Sequence, residues 1–223
     1  MMLSRLVLNP ASRAVQRAIG DVHELHRLVM SAFPKAGDAA RAELSVLFRL
    51  DADRTGQFVL YVQSRVDPDW TQLPEGALLD LLGEVQNPAV RNVEDAWKSI
   101  DRGSRLRFRL RANATRRIDT KSRPDGTKSN GKRVPIRGDE GRIAWFARQG
   151  ERMGFAPVDG EVRVREEGRR SGRRSDKRIT IVPSIFEGVI EITDPNQFRT
   201  ALANGIGPAK AYGCGLLSIG PVQ

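Results

Sequence analysis

Apolar and polar positions alternate first over residues 3–8 (LSRLVL), a spacing that suits a short, half-buried strand. The following NPASRAVQRAIGD is polar and reads as a loop or irregular segment. Over residues 22–33 the period changes. Val22, Leu25, Leu28, Val29, Ala32 and Phe33 recur close to helical spacing, Asp21 precedes them as an N-cap, Glu24 stands in the capping-box position and Pro34 follows the end. Two strand-like runs come next, residues 44–50 and 58–63, joined by DADRTGQ, a turn containing Gly56. The order β-α-β-β is the first part of a ferredoxin-like unit. Between residues 66 and 101, Pro68, Pro74 and Pro88 interrupt any long helix, and no clean second helix or fourth strand stands out.

A second β-α-β-β-α-β pattern begins at residues 105–112 (RLRFRLRA), where alternation is strict: Leu106, Phe108 and Leu110 on one face, four arginines on the other. Residues 115–138, rich in Ser, Gly, Asn and basic side chains, read as a loop. A helix is expected over 140–149 with Ile143, Ala144 and Phe146 facing a core. Strands are expected at 161–166 and 178–192, bracketing the hydrophilic GRRSGRRSDK as a hairpin tip. The last helix has Asp194 as N-cap and Pro195 at its first position, with Phe198, Ala201 and Leu202 inward. Asn204 and Gly205 end it, and residues 216–219 form a closing strand. The architecture is therefore α+β, two units in tandem, and no internal sequence identity marks them as copies.

A length of 223 residues accommodates two compact domains of about 100 residues each. No apolar run approaches the ~18 residues of a membrane-spanning helix. The opening MMLSRLVLNP is too short an apolar stretch, with Arg5 inside it, for a secretory signal. A single cysteine, Cys214, excludes an internal disulfide and offers no metal-ligand cluster, so a reducing, cytoplasmic setting is expected. The net charge of +10 is unevenly spread: residues 1–100 carry 11 Lys and Arg against 13 Asp and Glu, and residues 101–223 carry the remaining 26 against 14. Such asymmetry suits a polyanion-binding face in the second half, and arginine, which dominates there, makes bidentate phosphate contacts. The plainer alternative is a solvated basic surface.

Three constellations of residues carry candidate chemistry, and two further basic clusters accompany them. The chain's two histidines, His23 and His26, stand three apart on one expected helix, which puts both rings on the same face. RNA cleavage by the 2′-hydroxyl needs one proton taken from the attacking oxygen and one given to the leaving 5′-oxygen, and two imidazoles can share these roles without a metal. The helix N-terminus nearby favours the neutral ring; the alternative is a pair of idle surface histidines. No set of Cys, His and carboxylate side chains completes a zinc site. GIGPAKAYGCG places Gly205, Gly207, Gly213 and Gly215 symmetrically about a segment containing Lys210, where glycine lets the backbone approach another backbone or a phosphate. Because these glycines follow a helix and lead into a strand, a dinucleotide fingerprint does not fit. On a strand, Arg105, Arg107, Arg109 and Arg111 would line one surface about 7 Å apart, near a phosphate repeat, unless they merely protect an exposed edge. Arg116 and Arg117 end the same basic run; Lys132 and Arg133 supply a second basic cluster, and Arg169, Arg170, Arg173, Arg174, Lys177 and Arg178 a third. Either cluster contacts RNA or is a solvated loop.

FRLRANAT, KRVPI, RIAWF, FEGVIEITDP and GIGPAKAYGCGLLSIGP resemble the CasE endoribonucleases, which process the precursor transcript of type I-E CRISPR systems; LVLNPASRA and HELHRLVMSAFP are similar too. The likeness spans residues 3 to 219. Its glycine-rich loop is shared with the wider family of repeat-associated RNA-binding proteins, and the HELHRLVMSAFP-type helix belongs to this branch. The resemblance implies two tandem ferredoxin-like (RRM-like) domains, residues 1–100 with the catalytic helix and 101–223 with the basic face. The implied substrate is a stem-loop within each CRISPR repeat, cut on the 3′ side of the stem to leave a 2′,3′-cyclic phosphate (or 3′-phosphate) and a 5′-hydroxyl, with no metal or other cofactor. The product would be retained, and the implied partners are the other subunits of the type I-E surveillance complex. The family's catalytic histidine falls on His26 and its tyrosine, three positions earlier, on His23. This departure leaves two alternatives: His23 replaces the tyrosine in proton transfer, or His26 does most of the chemistry.

The expected function is thus a metal-independent endoribonuclease. A non-catalytic RNA-binding subunit with inert histidines is the alternative, and a DNA-binding protein a third class. With aromatic residues at 6%, recognition by base stacking is disfavoured against reading of stem shape and phosphates by arginines.

Overall fold

A computed structural model describes residues 1–35, 40–52, 55–81, 86–118 and 131–222. Parts of three expected features, residues 53–54 of the first turn, 82–85 of the proline-interrupted segment and 119–130 of the basic loop, lie outside the described residues.

The first sheet is built from β1 (Met2–Val7), β2 (Leu47–Ala52), β3 (Phe58–Ser64) and β4 (Ala89–Asn92). Every pairing is antiparallel and the order is β2-β3-β1-β4, the arrangement of a ferredoxin-like fold. Before β2 come α1 (Arg13–Gly20), α2 (Val22–Met30) and the single turn α3 (Ala40–Glu43); α4 (Glu94–Lys98) follows β4. Leu6, Leu8, Phe48, Leu60 and Val62 project from one face of the sheet onto Leu25, Leu28 and Val29 of α2. Helix α1 occupies the stretch expected to be irregular. Its apolar signal is only Val15, Ala18 and Ile19, but the first two are buried in this core and supply what the short pattern lacks. Helix α2 stops at Met30, earlier than expected, and tighter i→i−3 bonds from Ala32 and Phe33 carry Phe33 into the core beside Trp70. Where a second long helix would lie, Pro68 and Pro74 flank one short 3₁₀ turn (Trp70–Gln72), whose indole Nε1 donates to Ser4 Oγ at 3.1 Å. The fourth strand, hidden in the sequence, pairs with β1.

The second sheet contains β5 (Arg105–Ala112), and beyond it lies a separate two-stranded ribbon of β6 (Thr115–Ile118) and β7 (Lys132–Pro135). Next come α5 (Asp139–Met153), β8 (Phe155–Pro157) and β9 (Arg163–Glu166). A second ribbon, β10 (Arg170–Arg174) with β11 (Lys177–Ile181), precedes β12 (Ser184–Ile192), α6 (Pro195–Asn204) and β13 (Leu217–Pro221). The order β13-β5-β12-β8, with β9 also on β12, repeats the ferredoxin-like arrangement, so the fold is α+β with two such units in tandem. Three expectations need correction. The tract GRRSGRRSDK is not a mere tip: it forms most of a ribbon, and Pro183, which cannot donate to a ladder, separates β11 from β12 within the run expected as one strand. The loop expected over 115–138 is flanked by paired strands. On α5 the inward residues are Trp145 and Phe146 with Arg142, whereas Ile143 is half-buried and Ala144 exposed. Arg142 faces inward because Asp139 and Glu166 neutralise it there.

The sheets are joined through polar side chains facing away from their helices. The Arg49 guanidinium, 3% exposed, pairs with Asp51 and donates from Nη1 to the carbonyls of Arg109 and Leu216 and to Ser218 Oγ. Gln63 Nε2 donates to the Leu202 carbonyl at 2.8 Å.

Candidate active site

Asp21 caps α2 as the sequence suggests, with Oδ1 accepting from the His23 and Glu24 amides at 2.7 and 3.1 Å. Glu24 pairs with Arg27 on the exposed side. One turn of helix sets the His23 and His26 ring centroids 6.0 Å apart at an interplanar angle of 24°, and His26 stacks in turn on Phe48 at 6.4 Å. Neither Nδ1 atom has a hydrogen-bond partner among the described residues. Burial, reinforced by the charges of His23, Arg41 and Arg174, lowers the His26 pKa to about 4 and keeps its ring neutral at physiological pH. Both rings open into a cleft of about 650 Å³ whose walls come from both halves of the chain: Met30, Ser31 and Arg41 from the first, Arg174 and Tyr212 from the second.

A second cleft, about 790 Å³, shares Arg41, Ala211 and Tyr212 with the first and continues past Lys210 to Arg116, Arg117 and Arg133 of the β6–β7 ribbon. Arg41 escaped the sequence reading because it stands alone in a charge-balanced half. In the fold its Nη1 donates to the Val46 carbonyl at 2.9 Å, and the guanidinium borders both clefts. Burial chiefly, and the neighbouring Arg41 in addition, lower the Lys210 pKa. The ribbons repeat this theme. Arg117 stands opposite Arg133 across one, and Arg173 opposite Arg178 and Arg174 opposite Lys177 across the other. Like charges directly opposite on paired strands repel, and a polyanion laid along them would offset that repulsion.

The remaining candidates divide by location. Lys132, Arg169, Arg170, Arg173, Lys177 and Arg178 are exposed on or beside the ribbons, and only Arg174 of that group reaches the histidine cleft. The arginine row of β5 differs from expectation. Its alternation holds, but β5 is the second strand of its sheet, flanked by β13 and β12, and not an edge. Acids meet most of the row: Arg105 pairs with Glu191, Arg109 with Glu187 and Asp51, and Arg111 with Glu167, while Arg107 is exposed. Arg111 is 5% exposed and holds the Tyr212 and Gly213 carbonyls from beneath, so it shapes the glycine-rich loop and does not line an open phosphate track. In that loop Gly213 has φ +76°, and a Cβ there would meet Arg111 Nη1 at 3.0 Å and the Phe48 ring at 3.3 Å; Gly205, also left-handed, abuts Leu47. Gly207 packs on Trp145 and Gly215 on the Ile206 carbonyl, so the close approach these glycines allow is to protein. Cys214 is fully enclosed, and burial pushes its thiol up to about 12. No described helix is long and apolar enough to cross a membrane, and among the described residues no three His, Cys, Asp or Glu side chains are grouped to hold a metal ion.

Fold and cleft together define a double ferredoxin-like protein in which stacked imidazoles open onto a cationic groove. The chain belongs to the CRISPR-associated protein family, whose profile matches residues 1–221, and within it to the CasE branch. It is 34% identical over 232 residues to the CRISPR-associated endoribonuclease Cse3 of Thermus thermophilus, covering 99% of this chain and 100% of that protein. Identity to the CRISPR system Cascade subunit CasE of Escherichia coli K12 is 32% over 231 residues and the full length of both. Thermus thermophilus Cse3 bound to an RNA representing a pre-cleavage complex has a TM-score of 0.80 at 33% identity, over 99% of this chain and 98% of that one.

Proposed function

We propose that this protein is a metal-independent endoribonuclease that cuts the stem-loops of CRISPR repeats in a precursor RNA to give guide RNA. The observation that carries the reading is the adjacency of the His23–His26 cleft and the cationic groove, which share Arg41, Ala211 and Tyr212 as lining. The named activity of the Thermus relative supports it. The stem would lie along Arg116, Arg117, Arg133 and Lys210, with Lys132 and the second ribbon (Arg169, Arg170, Arg173, Lys177 and Arg178) meeting further phosphates, and Arg41 and Arg174 would hold the scissile phosphate. The 2′-oxygen attacks the adjacent phosphorus as the bond to the 5′-oxygen breaks, leaving a 2′,3′-cyclic phosphate and a 5′-hydroxyl. Neutral His26 is suited to take the 2′-proton, and His23, one turn away, to protonate the leaving oxygen. On this reading residues 1–100 form the catalytic domain and 101–223 the RNA-gripping one. The grip retains the product for other subunits of a type I-E surveillance complex in the cytoplasm, as the Cascade membership of the Escherichia coli relative suggests.

The test is single-turnover cleavage of a repeat hairpin in EDTA. Wild type is expected to cut once and to leave intact a substrate with 2′-deoxyribose at the cleavage site. His26→Ala should lose on the order of 10³-fold in rate with hairpin affinity nearly unchanged, and His23→Ala at least about tenfold, the scale of general acid–base catalysis. An uncut hairpin that remains bound to wild type would make the protein an RNA clamp. A wild-type rate for His23→Ala would leave His26 as the sole proton carrier.

A further inference from the structure

Three motifs far apart in sequence meet at one point. The start of α2, the ribbon β10–β11 and the glycine-rich loop share a small apolar cluster of Val22, Ile181 and Cys214, all buried, with Ile179 and Tyr212 packed around it. Above it, Asp21 serves two elements at once. Its Oδ1 caps α2, while Oδ2 accepts from the backbone amide of Arg173 at 3.1 Å, on the outer edge of the ribbon. Gly172 permits this approach. A Cβ there would lie 2.5 Å from Asp21 Oδ1, 2.9 Å from the His23 amide nitrogen and 2.9 Å from Val22 Cγ2, two of them atoms of the helix end.

We propose that Asp21 and Gly172 form a clasp that seats the basic ribbon on the catalytic helix and so sets where the His23 and His26 rings stand relative to Arg174. Both are positioning residues. Neither lines the histidine cleft, and both act through the first turn of α2. The clasp makes the element that binds RNA phosphates also the element that aligns the proton carriers, so recognition and chemistry share one mechanical joint. This rests on the endoribonuclease reading.

Asp21→Asn tests the joint because the amide keeps one acceptor oxygen and is as good an N-cap as aspartate. Its NH₂ cannot accept from the Arg173 amide, so cap and clasp are no longer satisfied together. Gly172→Ala opens the same joint from the other side by bulk. Both variants should keep wild-type helicity and hairpin affinity within about twofold while the single-turnover rate falls 10- to 100-fold, as displacement of reacting groups by about 1 Å produces. A second readout does not need cleavage. With Arg174 withdrawn, the His26 imidazole, followed by NMR, should titrate above its value of about 4. Unchanged rates and titration in both variants overturn the clasp. So does a loss of affinity equal to the loss of rate, which would make the ribbon only a grip. A wild-type protein that never cuts would sink the enzymatic reading while the titration still judges the joint.

Discussion

At His26 two influences act in the same direction. Removal from water and the nearby cations both disfavour the imidazolium, which is why the ring is neutral down to about pH 4 in the free protein. A neutral ring accepts protons, so a rate that depends on it should hold from neutrality down to that region and fall below it. Bound phosphodiester adds negative charge beside Arg41 and Arg174 and raises the pKa in the complex. The acidic limb of kcat should therefore lie at higher pH than that of kcat/KM, which reports the free enzyme. Arg174→Ala removes one of the lowering charges, and its kcat/KM limb should move to higher pH even though binding also weakens. A limb that stays in place would remove Arg174 from the electrostatics of the ring.

Among the elements, the glycine-rich loop is the one most constrained by what surrounds it. Gly213→Ala places a side chain in left-handed backbone against Arg111 and Phe48, and should cost about 1–2 kcal/mol, read as a lower urea midpoint with an unchanged slope. The loop's regular spacing was visible in the sequence, but what it packs against was not. The same division runs through the molecule. Local signals were legible: the caps at Asp21 and Asp194, Pro195 at the start of α6, the inward Phe198, Ala201 and Leu202, and the alternation of β5. What depends on distant partners was not. Helix α1 relies on a core supplied by β1 and α2, β8 is three residues long, and Arg111 turned inward because Glu167, 56 residues away, neutralises it. For the site, the two histidines announced themselves by rarity and spacing. Arg41 became recognisable only once the fold brought it between the clefts.

Over the whole molecule, Arg49 is the most enclosed of the charged side chains that join the two sheets, with the Arg109–Asp51 pair and the Gln63–Leu202 bond as further links. Arg49 bridges Asp51 to backbone and hydroxyl acceptors on β5 and β13; replacing it by alanine leaves Asp51 to Arg109 alone and strands the Arg109 and Leu216 carbonyls that Nη1 serves. Stranding buried acceptors in this way costs about 1–3 kcal/mol. Arg49→Ala should lower the denaturation midpoint accordingly, with the histidine cleft disturbed because its walls come from both sides of that seam; a loss under about 1 kcal/mol would show that the Arg109–Asp51 pair, the Gln63 bond and apolar packing hold the sheets without it. The ribbons stand outside this economy. Neither β6–β7 nor β10–β11 lends a strand to the larger sheets, so apart from anchors such as Gly172 and Ile181 and the cleft residue Arg174, their side chains can change without eroding the scaffold. On the proposed reading, a lineage whose repeats change in sequence can follow them by rewriting the exposed positions of these two fingers, provided that Arg174 stays beside His26.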